Sequence, residues 1–256
     1  MEQKINIIGY GFVGQATAIG LTKLGYQVTA YDISQKENIY NAQEFKKIDL
    51  KIGNILPGEG INIICIADKT LDDGKQEISH VIEVINSLHG KGVTILRTTV
   101  LPGFFSNNNV DFYWPEFLLE RNAIDDFMNP GIIVVGRKDG KKFPFEDHFS
   151  VYYCTPKEAS HIKYLHNIWN ALRIAFVNEF GDNLIKEDIN KQKVIDFFFR
   201  KEKYLRWGNA FGGHCLPKDI KAYSFEYPEI LSLPAVMKSN KIHKDTYPEL
   251  DKNPIF

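Results

Sequence analysis

Short apolar runs alternate with amphipathic stretches over residues 1–154. Ile5-Asn6-Ile7-Ile8, the run 27–31, Ile61-Asn62-Ile63-Ile64-Cys65-Ile66-Ala67, Val93-Thr94-Ile95-Leu96, the run 131–136 and Val151-Tyr152-Tyr153-Cys154 read as strands. Several are apolar on both faces, as expected of a parallel sheet covered on both sides. Between them lie a helical pattern over 15–24, closed by Gly25, and one over 77–88 with Ile78, Val81, Ile82 and Ile85 on one face. Residues 33–60 are polar, without periodicity, and read as irregular. From residue 155 the period changes. Thr155-Pro156-Lys157-Glu158 has the form of a helix start, and Ile162, Leu165, Trp169, Leu172, Phe176 and Val177 recur at helical spacing to about residue 180. A helical piece over 194–199, a glycine-rich loop and a last helix over 233–243 follow. The pattern predicts an α/β fold: a Rossmann-type domain with a mainly parallel sheet over 1–154, then an α-helical domain over 155–256 centred on the long helix.

Composition narrows the picture. The 256 residues are 44% apolar and 25% charged, with a net charge of −1. Such a balance gives no electrostatic case for nucleic acid or an anionic membrane. No apolar run is long enough to span a bilayer, and no signal-peptide layout opens the chain. The three cysteines, Cys65, Cys154 and Cys215, are widely spaced. That suggests a reducing, cytoplasmic setting, and no clustered Cys/His pattern points to a metal.

The candidate chemistry sits in two places. Gly9-Tyr10-Gly11-Phe12-Val13-Gly14 follows the first strand and opens the first helix. Gly9 makes the turn, Gly11 admits a pyrophosphate, and Gly14 lets helix pack on strand. Asp32 ends the second strand, where a carboxylate accepts from ribose hydroxyls and repels a 2′-phosphate. NAD is therefore favoured over NADP, with Lys36 nearby as the opposing feature. Thr98 and Thr99 follow the fourth strand, at a carboxyl end where ligands gather in such sheets. Glu116 and Glu120 are four apart, so on a helix they share a face, as do Lys163 and Asn167. The second place is Phe211-Gly212-Gly213-His214-Cys215-Leu216-Pro217-Lys218-Asp219. Two glycines permit close approach, and a thiol follows with cationic neighbours, the setting of a reactive cysteine. The plain alternative is a glycine turn before a buried cysteine.

These blocks together resemble the nucleotide-sugar 6-dehydrogenases, the UDP-glucose/GDP-mannose dehydrogenase family. The matching stretches are GYGFVG at 9–14, RTTVLPG at 97–103, PEFLLERNAIDDFMNPGIIVVG at 115–136, EASHIKYLHNIWNALRIAFVNEF at 158–180 and FGGHCLPKD at 211–219. The resemblance implies NAD-dependent four-electron oxidation of a sugar C6 alcohol to a carboxylate, with UDP-glucose to UDP-glucuronate the leading case. Cys215 matches the family nucleophile, Lys163 and Asn167 the oxyanion-stabilising pair, and Thr99, Glu116 and Asp219 the residues that order and activate water. Glu120 matches a second active-site glutamate near nicotinamide and substrate, and Lys218 a residue near cofactor or substrate. Cofactor contacts are expected at Gly9, Gly11, Phe12, Val13, Gly14, Asp32, Thr99, Glu120 and Lys218. Substrate contacts are expected at Phe117, Leu118, Lys163, Asn167, Phe211, Gly212 and Gly213. The resemblance also implies a homodimer formed through the central helices. The chain ends after the helical region, so the family's C-terminal nucleotide-binding domain is expected to be absent. That leaves two alternatives: oxidation of a smaller sugar or alcohol, or a non-catalytic NAD-binding module that needs a partner chain.

Overall fold

The computed structural model describes residues 4–200 and 207–250. The chain divides into two compact units, Met1–Lys69 with Glu77–Lys163, and Thr70–Gln76 with Tyr164–Phe256.

The first unit is built on an eight-stranded sheet. In chain order its strands are β1 (Ile5–Ile8), β2 (Val28–Asp32), β3 (Asp49–Ile52), β4 (Ile61–Ile64), β7 (Val93–Leu96), β8 (Phe112–Tyr113), β9 (Ile132–Arg137) and β10 (Ser150–Cys154). Two further short strands, β5 (Lys69–Thr70) and β6 (Gln76–Glu77), form a separate two-stranded sheet. The spatial order is β10-β9-β8-β7-β4-β1-β2-β3. All neighbours run parallel except β8 and β9, which are antiparallel. The central strands β1 and β4 are buried along their whole length. Their one polar pair bonds across the register: Asn6 donates to Asn62 at 2.8 Å, and Asn62 to the Lys91 carbonyl at 2.8 Å. The Asn6 side-chain carbonyl oxygen is the one atom of the pair left without a partner, so the amides offset most but not all of the cost of their burial.

Helices α1 (Phe12–Lys23), α2 (Ser79–Ser87) and α3 (Ala123–Met128) cover the sheet. The helix α1 lies close to its neighbours because of its glycines. A Cβ at Gly14 would sit 2.0 Å from the Gly9 carbonyl oxygen, and one at Gly20 2.0 Å from the Phe127 ring. Aromatic side chains fill the space beyond: Trp114, Phe127, Phe143, Phe145 and Phe149 pack together against β1, β4 and β7.

Two expectations need correction. Residues 33–60 are not wholly irregular, because β3 extends the sheet beside β2. It is an edge strand exposed at Asp49, Lys51 and Ile52, so it lacks the apolar continuity that marks β1 and β4. Glu116 and Glu120 do not share a helix: residues 114–119 are extended or irregular, and Glu120 starts a short 3-10 turn.

The second unit is helical. The long helix α4 (Pro156–Lys186), whose first residues up to Lys163 belong to the first unit, starts at a reciprocal cap, in which the Glu158 carboxylate accepts from the backbone and hydroxyl of Thr155 at 2.8 Å each. It runs six residues beyond the end read from periodicity. Then come α5 (Lys191–Phe198), α6 (Cys215–Glu226) and α7 (Ser232–Thr246). Ala171, Ala175, Phe211, Ile220 and Leu233 form the core of this unit.

Candidate active site

In the first unit the cradle has the expected form. Gly9 sits at φ +90, and any Cβ there would meet the backbone of Cys65 and Ile66 at 2.8 Å. Gly11 is different. Its φ of −80 suits any residue, and a Cβ there would meet nothing within 4 Å. The protein itself therefore has no steric need for glycine at position 11, and the space in front of the helix N-terminus is open. Phe12 and Val13 open α1, whose first-turn N–H groups have no partner within the helix. Asp32, at the end of β2, accepts from the Tyr10 N–H at 2.8 Å and from the Ser34 N–H at 3.0 Å, with Lys36 at 3.4 Å. The carboxylate is thus held rigidly beside the glycine turn. Gln15, which the sequence reading passed over as an ordinary helix residue, is completely buried. Its amide nitrogen reaches the carbonyls of Tyr10 and Glu37, and its oxygen accepts from the Ile39 N–H. It ties the segment after β2 back onto the cradle. These features fit NAD: Gly11 leaves room for a pyrophosphate, and Asp32 offers a carboxylate for the ribose diol.

The same unit holds a buried ion pair. Lys163, on α4, contacts Glu116 at 2.9 Å, and both are nearly inaccessible to water. The second oxygen of Glu116 accepts from the Leu118 N–H at 2.9 Å. The Lys163 ammonium also lies 5.4 Å from the centre of the Phe117 ring. Burial pushes the Glu116 carboxyl up. The Lys163 charge and hydrogen bond, the Leu118 N–H and the Arg97 charge more than reverse this, so its pKa lies below the usual carboxylate range. Arg97, the first residue of the RTTVLPG block, was given no role from sequence. It is buried, its guanidinium stacks 3.8 Å above Trp114, and burial pushes its pKa down to about 10. Thr98 donates to the Ile66 carbonyl at 2.7 Å, which is a strand-end cap, while Thr99 is buried beside it. Glu120 lies on the surface. Cys65 is a core residue, its thiol pushed up to about 12 by burial.

In the second unit Cys215 is exposed and is the first residue of α6. A thiol there stands at the positive end of a helix, where negative charge is favoured. Asp219 is one turn further along α6 and almost completely buried. Its Oδ1 meets the Lys218 ammonium at 2.5 Å, and its Oδ2 accepts from the Asn167 amide at 2.5 Å. Phe211 turns its ring into the core, and its backbone N–H and carbonyl are both bonded to Asn240. Gly213 takes φ +70, a value that favours glycine, and Gly212 has open space where a Cβ would be. Among the described residues, no group of three or more His, Cys, Asp or Glu could hold a metal, and no helix is long and apolar enough to cross a membrane.

A parallel sheet with a glycine cradle at the start of its first helix, joined to a helical unit, defines a Rossmann-type dinucleotide-binding protein. Comparison with known proteins narrows this further. Residues 157–241 match the UDP-glucose/GDP-mannose dehydrogenase family, central domain. GDP-mannose 6-dehydrogenase of Azotobacter vinelandii is 27% identical over 98% of this chain and 71% of its own length. UDP-glucose 6-dehydrogenase of Rickettsia felis is 28% identical over 93% of this chain and 64% of its own length. A solved UDP-glucose dehydrogenase from Pyrobaculum islandicum superposes with a TM-score of 0.77 at 21% identity, covering 97% of this chain and 69% of that one, and so shares the fold. The resemblance read from the motifs is borne out: the chain is similar to the nucleotide-sugar 6-dehydrogenases through both units, with NAD as its cofactor.

Two predictions follow from the first unit. Gly11→Ala should leave stability within about 0.5 kcal/mol of the parent by urea titration, since its Cβ meets no protein atom. The same change should raise the NAD dissociation constant by about tenfold or more in calorimetry. Unchanged NAD affinity would remove the ligand explanation for this glycine. Because Glu116 titrates lower when folded than when unfolded, it stabilises the protein above the unfolded carboxyl value of about 4.3. That contribution is lost as pH falls from there through the depressed folded value. Lys163→Met should cost about 3–5 kcal/mol at neutral pH by leaving a buried charge unpaired. Urea titrations from pH 7 to pH 4 should then show the loss shrinking as Glu116 takes up a proton; an unaltered acid limb counts against the pair.

Proposed function

We propose that the chain catalyses the NAD-dependent four-electron oxidation of the C6 alcohol of a nucleotide sugar to the acid, through a covalent intermediate on Cys215. The observation that carries this reading is the constellation on α6: an exposed thiol at the helix start, with a buried Asp219 one turn behind it whose two oxygens are held by Lys218 and Asn167. A buried charge of this kind is expensive and rarely repays its desolvation in stability, so chemistry is the better reason for keeping it.

NAD, which the glycine turn at 9–14 and Asp32 would hold, would supply the hydride acceptor in each of two rounds. In the first, the alcohol loses a hydride and a proton to give the aldehyde. The Cys215 sulfur then forms a bond to the aldehyde carbon, giving a hemithioacetal. Lys163, Asn167 or both serve as the groups that meet negative charge on the carbonyl oxygen. Loss of the second hydride leaves a thioester. Water adds to it, the carbon–sulfur bond breaks, and the acid leaves with the thiolate restored. Over the full cycle one alcohol, two NAD and one water give one carboxylate, two NADH and three protons. Asp219, Glu116 and Thr99 take the roles of ordering and deprotonating water. Glu120 and Lys218 stand as residues near the nicotinamide and substrate. Relatives acting on GDP-mannose and on UDP-glucose match at similar identity, so both sugars enter the test.

We also propose that two copies associate through α4. Leu165, Trp169, Phe176 and Phe180 form an exposed apolar stripe along one side of this helix. Single exposed apolar residues are ordinary, but a continuous aromatic stripe marks a contact surface, and one helix face can pair with itself about a two-fold axis.

The purified chain should form two NADH per sugar consumed with UDP-glucose or GDP-mannose. Cys215→Ser should abolish acid formation. One NADH per sugar, or acid formed at the parental rate by the serine variant, would sink the covalent route. In light scattering the parent should have twice its sequence mass of 29.4 kDa, and a Trp169→Asp, Phe176→Asp double variant should be monomeric. A monomeric parent would rule out the pairing.

A further inference from the structure

Residues 207–211 lead directly into the cysteine stretch, and side chains of α4 and α7 bond to them at almost every position. Asn178 accepts from the Gly208 N–H at 3.0 Å and donates to the Asn209 carbonyl at 2.9 Å. Asn240 accepts from the Phe211 N–H at 2.8 Å and donates to its carbonyl at 3.0 Å. The Trp207 indole N–H donates to Asp182 at 2.7 Å, and its ring lies so close to α4 that a Cβ at Gly181 would be 2.2 Å from it. His243 completes the set. Its Nδ1 is 2.8 Å from the other Asp182 oxygen, and its Nε2 is 2.6 Å from the Gly208 carbonyl.

Both His243 partners are oxygens, one on a side chain of α4 and one on the backbone of the segment. The ring therefore bridges α4 and residue 208, buried at 2% exposure. The rings of Trp207 and Tyr247 pack around it, and the Lys191 ammonium lies 4.0 Å from the Trp207 ring centre. This bridge supplies order in a segment whose glycines, Gly208, Gly212 and Gly213, would otherwise leave it free.

We propose that His243, bridging Asp182 and the Gly208 carbonyl, is a positioning residue that fixes residues 207–211 and so sets where α6 presents the Cys215 thiol. The proposal rests on Cys215 being the nucleophile. It gives a buried histidine, 28 residues beyond the cysteine, an effect on the reaction through the backbone alone.

The test compares His243→Phe, which keeps the ring contacts and removes both ring nitrogens, with Asp182→Asn, which keeps the shape and removes the carboxylate. Three quantities are read: kcat and KM for NADH formation with UDP-glucose and GDP-mannose, NAD affinity, and the rate of Cys215 alkylation by iodoacetamide against a Cys215→Ser background. In His243→Phe, kcat should fall by about tenfold or more, since small misplacements of a reacting group are that costly. KM for NAD should stay within about twofold, because the cradle is built by other residues. The alkylation rate should change by about fivefold or more, with Asp182→Asn shifted in the same direction. Parental kcat and alkylation rate in a folded His243→Phe protein would overturn the proposal. Should that variant fail to bind NAD or to melt cooperatively, Asp182→Asn decides by the same two rates. No NADH from the parent with either sugar would defeat the reading of Cys215 as a dehydrogenase nucleophile, while the alkylation rates would still decide whether His243 positions the thiol.

Discussion

Charge withdrawn from water has to be answered from within the chain, and this constraint organises everything chemical in the molecule. Glu116 is answered by Lys163 and the Leu118 N–H, and Asp219 by Lys218 and Asn167. Asp182 is answered by His243 and Trp207. Each carboxylate has both oxygens engaged, which fixes the residues that touch it. The apolar cores on which these groups rest are ordinary; the paired polar groups are what tie the segments around them together.

The glycines follow the same logic from the steric side. Gly9 and Gly14 are required because α1 and the sheet approach within a distance that excludes a Cβ. Gly11 is required by no protein contact, since a Cβ there would meet nothing within 4 Å. Open space at the N-terminus of the helix that follows the first strand leaves its N–H groups accessible. Gln15 then anchors the loop after Asp32, so the carboxylate at the end of β2 is held at a constant distance from the turn.

The continuous helix α4 carries both Lys163 and Asn167, one turn apart. Rigid helices position functional side chains more closely than loops do. The cysteine stretch is the opposite case, a glycine-rich segment followed by a helix that starts at the thiol itself. Here order comes from outside the segment, from two asparagines that treat its backbone as a strand partner and from the His243–Asp182 pair.

Much of this was legible in the chain. The strand–glycine turn–helix–strand–acid series determined the cradle, because each residue there acts through its local backbone or its end of a strand. The co-linear blocks drew attention to Lys163, Asn167, Cys215 and Asp219, and helical periodicity located α4. Other features were decided only by tertiary structure. The edge strand β3 has no pattern to announce it, because an exposed strand needs no apolar run. Glu116 and Glu120, four apart, were separated by an extended segment whose shape depends on what it packs against. Phe211 proved to be a core residue. Gln15, Arg97, Asn178, Asp182, Asn240 and His243 read as unremarkable helix or strand residues, since what each does depends on a partner far away in sequence. Local residue types determine turns, caps and helix faces; only the folded chain decides which buried polar group meets which, because that pairing is set by contacts between segments that the sequence keeps apart.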